Sequence, residues 1–159
     1  MGKSLFLTVI YVVCSLCYMA AQGLVNVKHY SVKDGMSQNT VQGVLQDNEG
    51  YIWMATWNGL EKFDGYSFKN YKTYPTDKVK LQYNRLVNLQ LGGNQMLVCQ
   101  SYDRRVYLFD IRRECFEDVF AYHPEVKLCT AASKIITLPN GMVWIVGTNG
   151  DLWRIDCFR

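Results

Sequence analysis

The sequence is poor in proline, in charged residues and in histidine. Of its 159 residues, 3 are proline and 2 are histidine, and 19% are charged. The hydrophobic fraction of 49% excludes a disordered chain, because disordered segments are rich in charge and poor in apolar residues. No CxxC motif follows residue 22, so a zinc site is not expected. No metal and no cofactor is predicted.

The positive charge is small and scattered. The formal net charge is +3, and its densest points are the pairs Arg104–Arg105 and Arg112–Arg113. Such pairs are typical of solvated strand ends, whereas a nucleic-acid interface needs a basic patch or stripe. No nucleic-acid partner is predicted for this segment.

The N-terminus has the features of a secretory signal peptide. Lys3 precedes a long apolar run, Leu5 to Ala21, which ends in small residues. We predict a signal peptide over residues 1–22, cleaved near Ala20 to Gln22, and an exported, periplasmic chain. The alternative is an uncleaved anchor, since the run is about as long as the shortest membrane spans.

The number of cysteines matters because an exported chain reaches an oxidising compartment. Four of the 6 follow the predicted signal peptide, namely Cys99, Cys115, Cys129 and Cys157. An exported chain can form disulfides, and four cysteines allow three pairings. Cys99 is interpreted as a small apolar core residue on a strand, and the state of the other three is left open.

Two stretches of the chain share one pattern. "NEGYIWMATWNGLEKFDG" (48–65) and "LPNGMVWIVGTNGDLWRID" (138–156) each contain a glycine turn, an apolar strand centred on tryptophan, an Asn-Gly turn and an alternating strand. Asn-Gly between alternating apolar runs is typical of a type I′ hairpin. A weaker copy between them (91–110) has Leu97 in place of tryptophan. The structural positions of the repeat are Asp47, Gly50, Trp53, Gly59, Leu97, Gly141, Trp144 and Gly150.

The repeat predicts an all-β fold. Trp53, Leu97 and Trp144 are 44 and 47 residues apart, and each copy has up to four short strands. That is the size of one propeller blade. We predict a partial β-propeller of about three four-stranded antiparallel blades over residues 23–159, rather than an antiparallel sandwich. The predicted blades are 41–71, 85–120 and an incomplete 134–159, and residues 24–30 form a strand that would close the last blade of a full ring.

Residues 30–71 resemble the two-component regulator propeller repeat. The family's Gly-Leu-Ser-x-Asn segment corresponds to residues 35–39, and its Asp-x-x-Gly-x-Ile-Trp-x-Gly-Thr core corresponds to residues 47–56, with Ala55 for the usual glycine. Gly147 is taken to keep that glycine in the third copy. The match is specific in blade one, good in blade three and degenerate in blade two.

The resemblance implies a role in sensing. Such repeats form the periplasmic sensor part of hybrid two-component systems of Bacteroidetes, which are anchored in the inner membrane and carry kinase and receiver domains. The implied function is detection of glycan fragments and control of transcription. The implied partners are an oligosaccharide, the remaining blades of a longer chain and a second copy in a homodimer. No kinase motif occurs in this sequence, so no enzymatic activity is predicted for it.

Blade geometry predicts a ligand-binding face. The loop into the first strand and the loop between the second and third strands lie at the same end of a blade, because successive strands alternate in direction. Aromatic rings, amides and a guanidinium there suit the C–H faces and hydroxyls of a sugar. The candidate ligand-binding residues are Gln38, Asn39, Trp57, Asn58, Tyr102, Arg104 and Asn149. For the turn asparagines a purely structural role competes, and Trp53 and Trp144 are expected in the core.

Two other functional classes stay open. An exported carbohydrate-active enzyme, a lyase or glycosidase, would need placed carboxylates. The candidates are Asp34, Asp47, Asp64, Asp103, Asp110 and Asp156. Most of them recur at strand ends beside turns, which is a structural use, and a carboxylate pair across the loop face would favour the enzyme. The third class is a non-enzymatic interaction scaffold.

Overall fold

The computed structural model describes residues 2–19, 25–74, 76–77, 81–93, 95–117 and 131–156. Helix α1 (Gly2–Met19) and a 3₁₀ turn (Val32–Asp34) precede the strands. No helix within these ranges is long and apolar enough to cross a membrane. Cys129 and Cys157 lie outside the described residues, whereas Cys99 is a buried free thiol and Cys115 an exposed one.

The strands form three antiparallel sheets, which we call blades one, two and three. Blade one contains β1 (Val41–Gln46), β2 (Ile52–Thr56), β3 (Gly59–Phe63) and β4 (Phe68–Tyr71). Blade two contains β5 (Leu86–Leu91), β6 (Met96–Ser101), β7 (Val106–Asp110) and β8 (Cys115–Glu117). Blade three contains, within the described residues, β9 (Ala132–Thr137), β10 (Met142–Gly147) and β11 (Leu152–Asp156). The predicted all-β, blade-like fold is confirmed.

Blades one and two enclose an aromatic core. Trp53 of β2 is fully buried, and its ring centroid lies 5.4 Å from that of Phe109 in β7 and 5.7 Å from that of Tyr71. Trp53 donates its indole N–H to Asp47 Oδ2 at 2.7 Å. The pairing satisfies a buried donor that would otherwise cost about 1–3 kcal/mol.

A charged cluster closes the edge of this same interface. Glu114, in the turn after β7, accepts hydrogen bonds from the Tyr71 hydroxyl at 2.7 Å and from the Lys69 ammonium. Lys62 Nζ lies 3.8 Å from Glu114 Oε1 and 3.9 Å from the Tyr51 ring centroid. The hydrogen bonds from Lys69 and then Tyr71 lower the pKa of Glu114, and burial and Glu114 raise the pKa of Tyr71.

Blades two and three pack through aliphatic residues. Val98, Val106 and Leu108 of blade two contact a buried group from blade three that includes Val143 and Ile145. Gln90 links the same two sheets, since its side chain donates to the Ile135 carbonyl at 3.0 Å and accepts from the Thr137 N–H at 3.2 Å. This interface therefore depends on apolar contact and amide hydrogen bonds.

The N-terminal segment covers the outward face of blade one. Tyr30 packs on Phe63 and Phe68, with ring centroids 4.9 and 5.6 Å away. The buried Glu61 carboxylate accepts the Ser37 N–H, which holds the 35–39 motif against β3. Residues 25–30, part of the strand predicted over residues 24–30, pair with no strand edge among the described residues, and closure of a last blade by this segment stays a prediction.

The register of blade two differs from the prediction by one residue. Equivalent turn hydrogen bonds, Asp47 N–H to Tyr51, Gly92 N–H to Met96 and Leu138 N–H to Met142, align the three sheets. By this alignment Val98, and not Leu97, occupies the Trp53 and Trp144 position, so the repeat spacings are 45 and 46 residues. Because side chains alternate along a strand, Leu97 points to the opposite face, into the core shared with blade one.

Two further details of the repeat were wrong. Gly147 aligns with Thr56 rather than with Ala55, because it lies three residues after Trp144, whereas Ala55 lies two residues after Trp53. The Asn-Gly turns are not of type I′, which requires positive φ at both residues. Gly59 and Gly150 have φ of 108° and 92°, but the non-glycine residues with positive φ in the described chain are Gln95, Arg104 and Glu114.

Candidate functional site

One end of the three blades carries the loops in which ligand contacts were predicted. In each blade the residue after β2, β6 or β10 donates its N–H to the residue just before the first strand. Trp57 donates to Thr40 at 3.4 Å, Tyr102 to Arg85 at 2.9 Å and Thr148 to Ala131 at 3.1 Å. These equivalent bonds place both loops of each blade side by side. We call this surface the loop face.

An arginine lies between two aromatic rings on the loop face. The guanidinium carbon of Arg85 is 3.8 Å from the Trp57 ring centroid and 4.9 Å from that of Tyr102. The two rings remain open to solvent, with exposed fractions of 41% and 64%. We call this group the Trp57–Arg85–Tyr102 stack. It joins blade one to blade two at the surface, and stacked guanidinium–aromatic contacts are favourable in such a position.

The backbone on both sides of Arg85 is held in place. Asn84 accepts the Thr73 N–H at 3.0 Å and donates its amide to the Thr73 carbonyl at 3.2 Å. Leu86 is fully buried in the core of blades one and two. The Arg85 carbonyl itself accepts from Tyr102. The arginine therefore projects from a fixed backbone, which limits the entropy lost when a ligand binds.

The predicted polar residues have local partners. Asn39 Oδ1 accepts the Val32 N–H at 2.9 Å, and Gln38 Oε1 accepts the Asn39 N–H at 2.8 Å. Asn149 donates to the Asp151 carboxylate, and Asn58 has its carbonyl bonded to Asn70 at 3.0 Å. The side-chain contact of Asn149 supports the structural role that competed for the turn asparagines, whereas the Asn58 contact involves only its backbone carbonyl.

Arg104 is exposed and lies at φ 67°, the position that Gly150 takes in blade three. Its carbonyl accepts the Ala132 N–H at 2.7 Å, which connects blade two to blade three. The structure thus brings Trp57 and Tyr102 together around Arg85. It leaves Arg104 and Asn149 toward blade three, and Gln38 and Asn39 beside blade one.

The acidic candidates also serve turns. Asp64 accepts the backbone N–H groups of Tyr66 and Ser67 at 2.8 and 2.7 Å, and these bonds lower its pKa. Asp110 accepts hydrogen bonds from the backbone N–H groups of Arg112 and Arg113. Asp47 accepts the indole N–H of Trp53, and Asp34 caps the 3₁₀ turn. Asp103 is paired with Arg105 at 3.3 Å. No carboxylate pair crosses the loop face within the described residues, so the observation that would favour an enzyme is not made there.

A cleft of about 300 Å³ lies at the opposite end of the blades. It is lined by the turns after β1, β5 and β9, including Asp47, Gln95 and Leu138. Its principal polar groups are already paired, since Asp47 accepts from Glu49, Tyr51 and Trp53 and Gln95 accepts from Arg112. The loop face is the stronger candidate because, within the described residues, the guanidinium of Arg85 has no hydrogen bond or ion pair.

Sequence reasoning missed Arg85. The repeat pattern places Trp57 and Tyr102 on one face, but in blade two it points only to the loop between the second and third strands. The available signal was positional, because Arg85 directly precedes β5 just as Thr40 precedes β1.

Comparison with known proteins agrees with the predicted resemblance. No family model matches the chain. A stretch of 54 residues is 41% identical to histidine kinase P4 of Formosa agariphila. This stretch is 34% of this chain and 4% of that protein. The fold matches the extracellular domain of a hybrid two-component system from B. thetaiotaomicron with a TM-score of 0.65 and 22% identity, over 82% of this chain and 19% of that one.

A second extracellular domain from B. thetaiotaomicron, of a one-component system, matches with a TM-score of 0.54 and 23% identity, over 77% of this chain and 16% of that one. The match to a histidine kinase agrees with the predicted resemblance, and the two structural matches show that this chain shares the fold of these extracellular domains. The chain spans less than a fifth of the length of each of these proteins.

Proposed function

We propose that the chain is a ligand-sensing segment of an exported sensor propeller that detects glycan fragments. Binding would control transcription through kinase and regulator domains of a longer, membrane-anchored protein. The similarity to histidine kinase P4 and to extracellular domains of two-component systems supports this role. The chain itself is proposed to bind and not to catalyse.

The exposure of two neighbouring aromatic rings is the observation that carries the proposal. Trp57 and Tyr102 come from equivalent positions in adjacent blades and lie on either side of Arg85, on the loop face. A pyranose ring presents C–H groups on its faces, and an exposed indole or phenol ring is a favourable surface for them. Neither ring is needed to fill the core, since both are open to solvent.

Further blades are the second proposed partner. Blade three presents an outward face with Ile136 and Leu152 exposed by 40% and 61%. Blades bury such faces against their neighbours. We therefore expect the outward face of blade three to pack against another blade of the longer protein.

A binding experiment tests the sensing proposal. The purified chain is applied to an array of plant, algal and host oligosaccharides, and any binder is quantified by titration calorimetry. Trp57→Ala is expected to weaken the affinity roughly fivefold to tenfold, the magnitude of a lost aromatic contact.

Tyr66→Ala is the matched control. Tyr66 is 95% exposed in the β3–β4 turn, at the opposite end of blade one, and its removal should leave the affinity unchanged. The proposal is wrong if no oligosaccharide binds, or if a bound one is insensitive to Trp57→Ala.

A further inference from the structure

We infer that the Trp57–Arg85–Tyr102 stack is a binding site for an acidic sugar, with the guanidinium of Arg85 receiving a carboxylate or sulfate. This inference rests on the proposed function and specifies the chemical class of its ligand. It follows from the aromatic contacts of the arginine and from the state of its N–H donors.

The guanidinium of Arg85 contacts two aromatic rings, and within the described residues its N–H donors are free for a ligand. Trp57 and Tyr102 contact the guanidinium at 3.8 and 4.9 Å from their ring centroids. Stacking leaves the in-plane N–H donors of an arginine available, and these donors match the two oxygens of a carboxylate or sulfate. Within the described residues, no hydrogen bond or ion pair engages the Arg85 side chain.

Three other arginines have side-chain partners within the described residues, unlike Arg85. Arg105 pairs with Asp103 at 3.3 Å, and Arg113 pairs with Asp110 at 2.7 Å and also with Glu117. Arg112 donates to the Gln95 side chain. The nearest acidic residue of the neighbouring loop, Asp103, is thus already engaged by Arg105. A charge held against two rings, on a fixed backbone and with no anionic partner among the described residues, is suited to an anionic ligand from solution.

The rings add the remaining specificity. With the guanidinium bound to the acidic group, the exposed parts of Trp57 and Tyr102 lie beside the position of the attached sugar ring. An acidic oligosaccharide would thereby gain a charged hydrogen-bonded contact and an aromatic contact from one site. A neutral oligosaccharide would gain only the aromatic contact.

The test uses acidic and neutralised forms of the same sugars. The full chain is titrated with tetragalacturonate and a chondroitin sulfate tetrasaccharide, and with their neutral counterparts, in which every carboxylate is methyl-esterified and every sulfate is removed. We expect at least one acidic form to bind at least tenfold more tightly than its neutral counterpart, because a hydrogen bond to a charged group is a strong one. Added sodium chloride should weaken that binding.

Variants assign the effect to Arg85. Arg85→Gln should weaken binding of the acidic form about tenfold to a hundredfold, and should remove the preference over the neutral form. Arg85→Lys, which keeps the charge but not the planar fork, should bind with intermediate affinity. Arg112→Gln, at the opposite end of blade two, is the charge-matched control and should have no effect. Circular dichroism of each variant checks that the fold is retained.

The outcomes separate this inference from the proposed function. If neutral forms bind equally well and depend on Trp57, or if Arg85→Gln leaves acidic binding unchanged, the acidic-site inference is wrong and the sensing proposal stands. If neither these sugars nor any member of the array binds, both are wrong.

Discussion

Trp53 and Trp144 occupy the same position of the repeat, yet their surroundings differ. Trp53 is fully buried between blades one and two, beside Tyr71 and Phe109, and donates its N–H to Asp47. Trp144 points to the outward face of blade three, because its neighbours Val143 and Ile145 point to blade two. Leu138 stands in blade three where blade one has Asp47. The motif therefore defines a strand and its turns, while burial of its tryptophan depends on the adjacent sheet.

The two tryptophans should differ most when each is removed. Trp53→Ala should lower the free energy of unfolding by about 3–5 kcal/mol, the cost of a large cavity in a packed core. Trp144→Ala should cost about 1–2 kcal/mol, since the face is partly solvated. Urea unfolding followed by circular dichroism measures both. Equal losses would mean that Trp144 is as well packed as Trp53, contrary to the structure.

The turn glycines extend the comparison to the backbone. Gly59 and Gly150 both have positive φ, but a Cβ on Gly59 would lie 2.3 Å from the Tyr71 carbonyl oxygen, whereas one on Gly150 meets nothing within 4 Å. Gly150→Ala should cost about 1–2 kcal/mol, the ordinary penalty of a left-handed residue. Gly59→Ala should cost more, because β4 must also move away. Thermal melts of the two variants would contradict this if Gly150→Ala were the more damaging change.

The smallest expected effect is a difference in pH dependence between the two interfaces. Glu114 at the blade one–two interface has its pKa lowered by Lys69 and Tyr71. Its contribution to stability is present above the unfolded pKa of about 4.3 and is lost as the pH falls through the folded value. Glu114→Gln should therefore lower the free energy of unfolding slightly at pH 7. The free energy of unfolding of this variant should also decrease less than that of the unchanged protein as the pH falls.

Urea midpoints measured between pH 3 and pH 7 test this difference. Glu49→Gln removes an exposed carboxylate of a neighbouring turn and serves as the control, with the acid decline unchanged. An unaltered pH profile in Glu114→Gln would show that the cluster does not stabilise the interface. The blade two–three interface, built from aliphatic residues and the Gln90 amide, should add nothing to the acid decline.

The repeat period and the element types could be predicted from the sequence, and the register of blade two could not. Glycine turns and alternating apolar runs are local signals, and they identified the strands of blade one. In blade two, Leu97 and Val98 are both apolar and neither is a tryptophan, so the pattern does not decide which faces blade one. The inter-sheet packing decides it, because Leu97 fits the core beside Trp53 and Val98 fits the core beside Val143.

Some residues of the candidate site could likewise be predicted from the sequence, and others could not. Trp57 and Tyr102 were identified from loop positions that follow from strand alternation. Arg85 was not, because its stacking depends on two blades lying side by side, and the residues concerned are far apart in the chain. The cleft lined by Asp47 and Gln95 was missed for the same reason, since its walls come from three sheets.

By itself the sequence determined the all-β class, the repeat of about 45 residues and the turns that need glycine, because these depend on contacts between near neighbours in the chain. Only the tertiary structure decided which tryptophan is buried, which face Leu97 takes and which charge meets the aromatic rings of the loop face. These features depend on how one sheet packs on the next, and that packing arises from the combined side chains of two blades rather than from the pattern within either one.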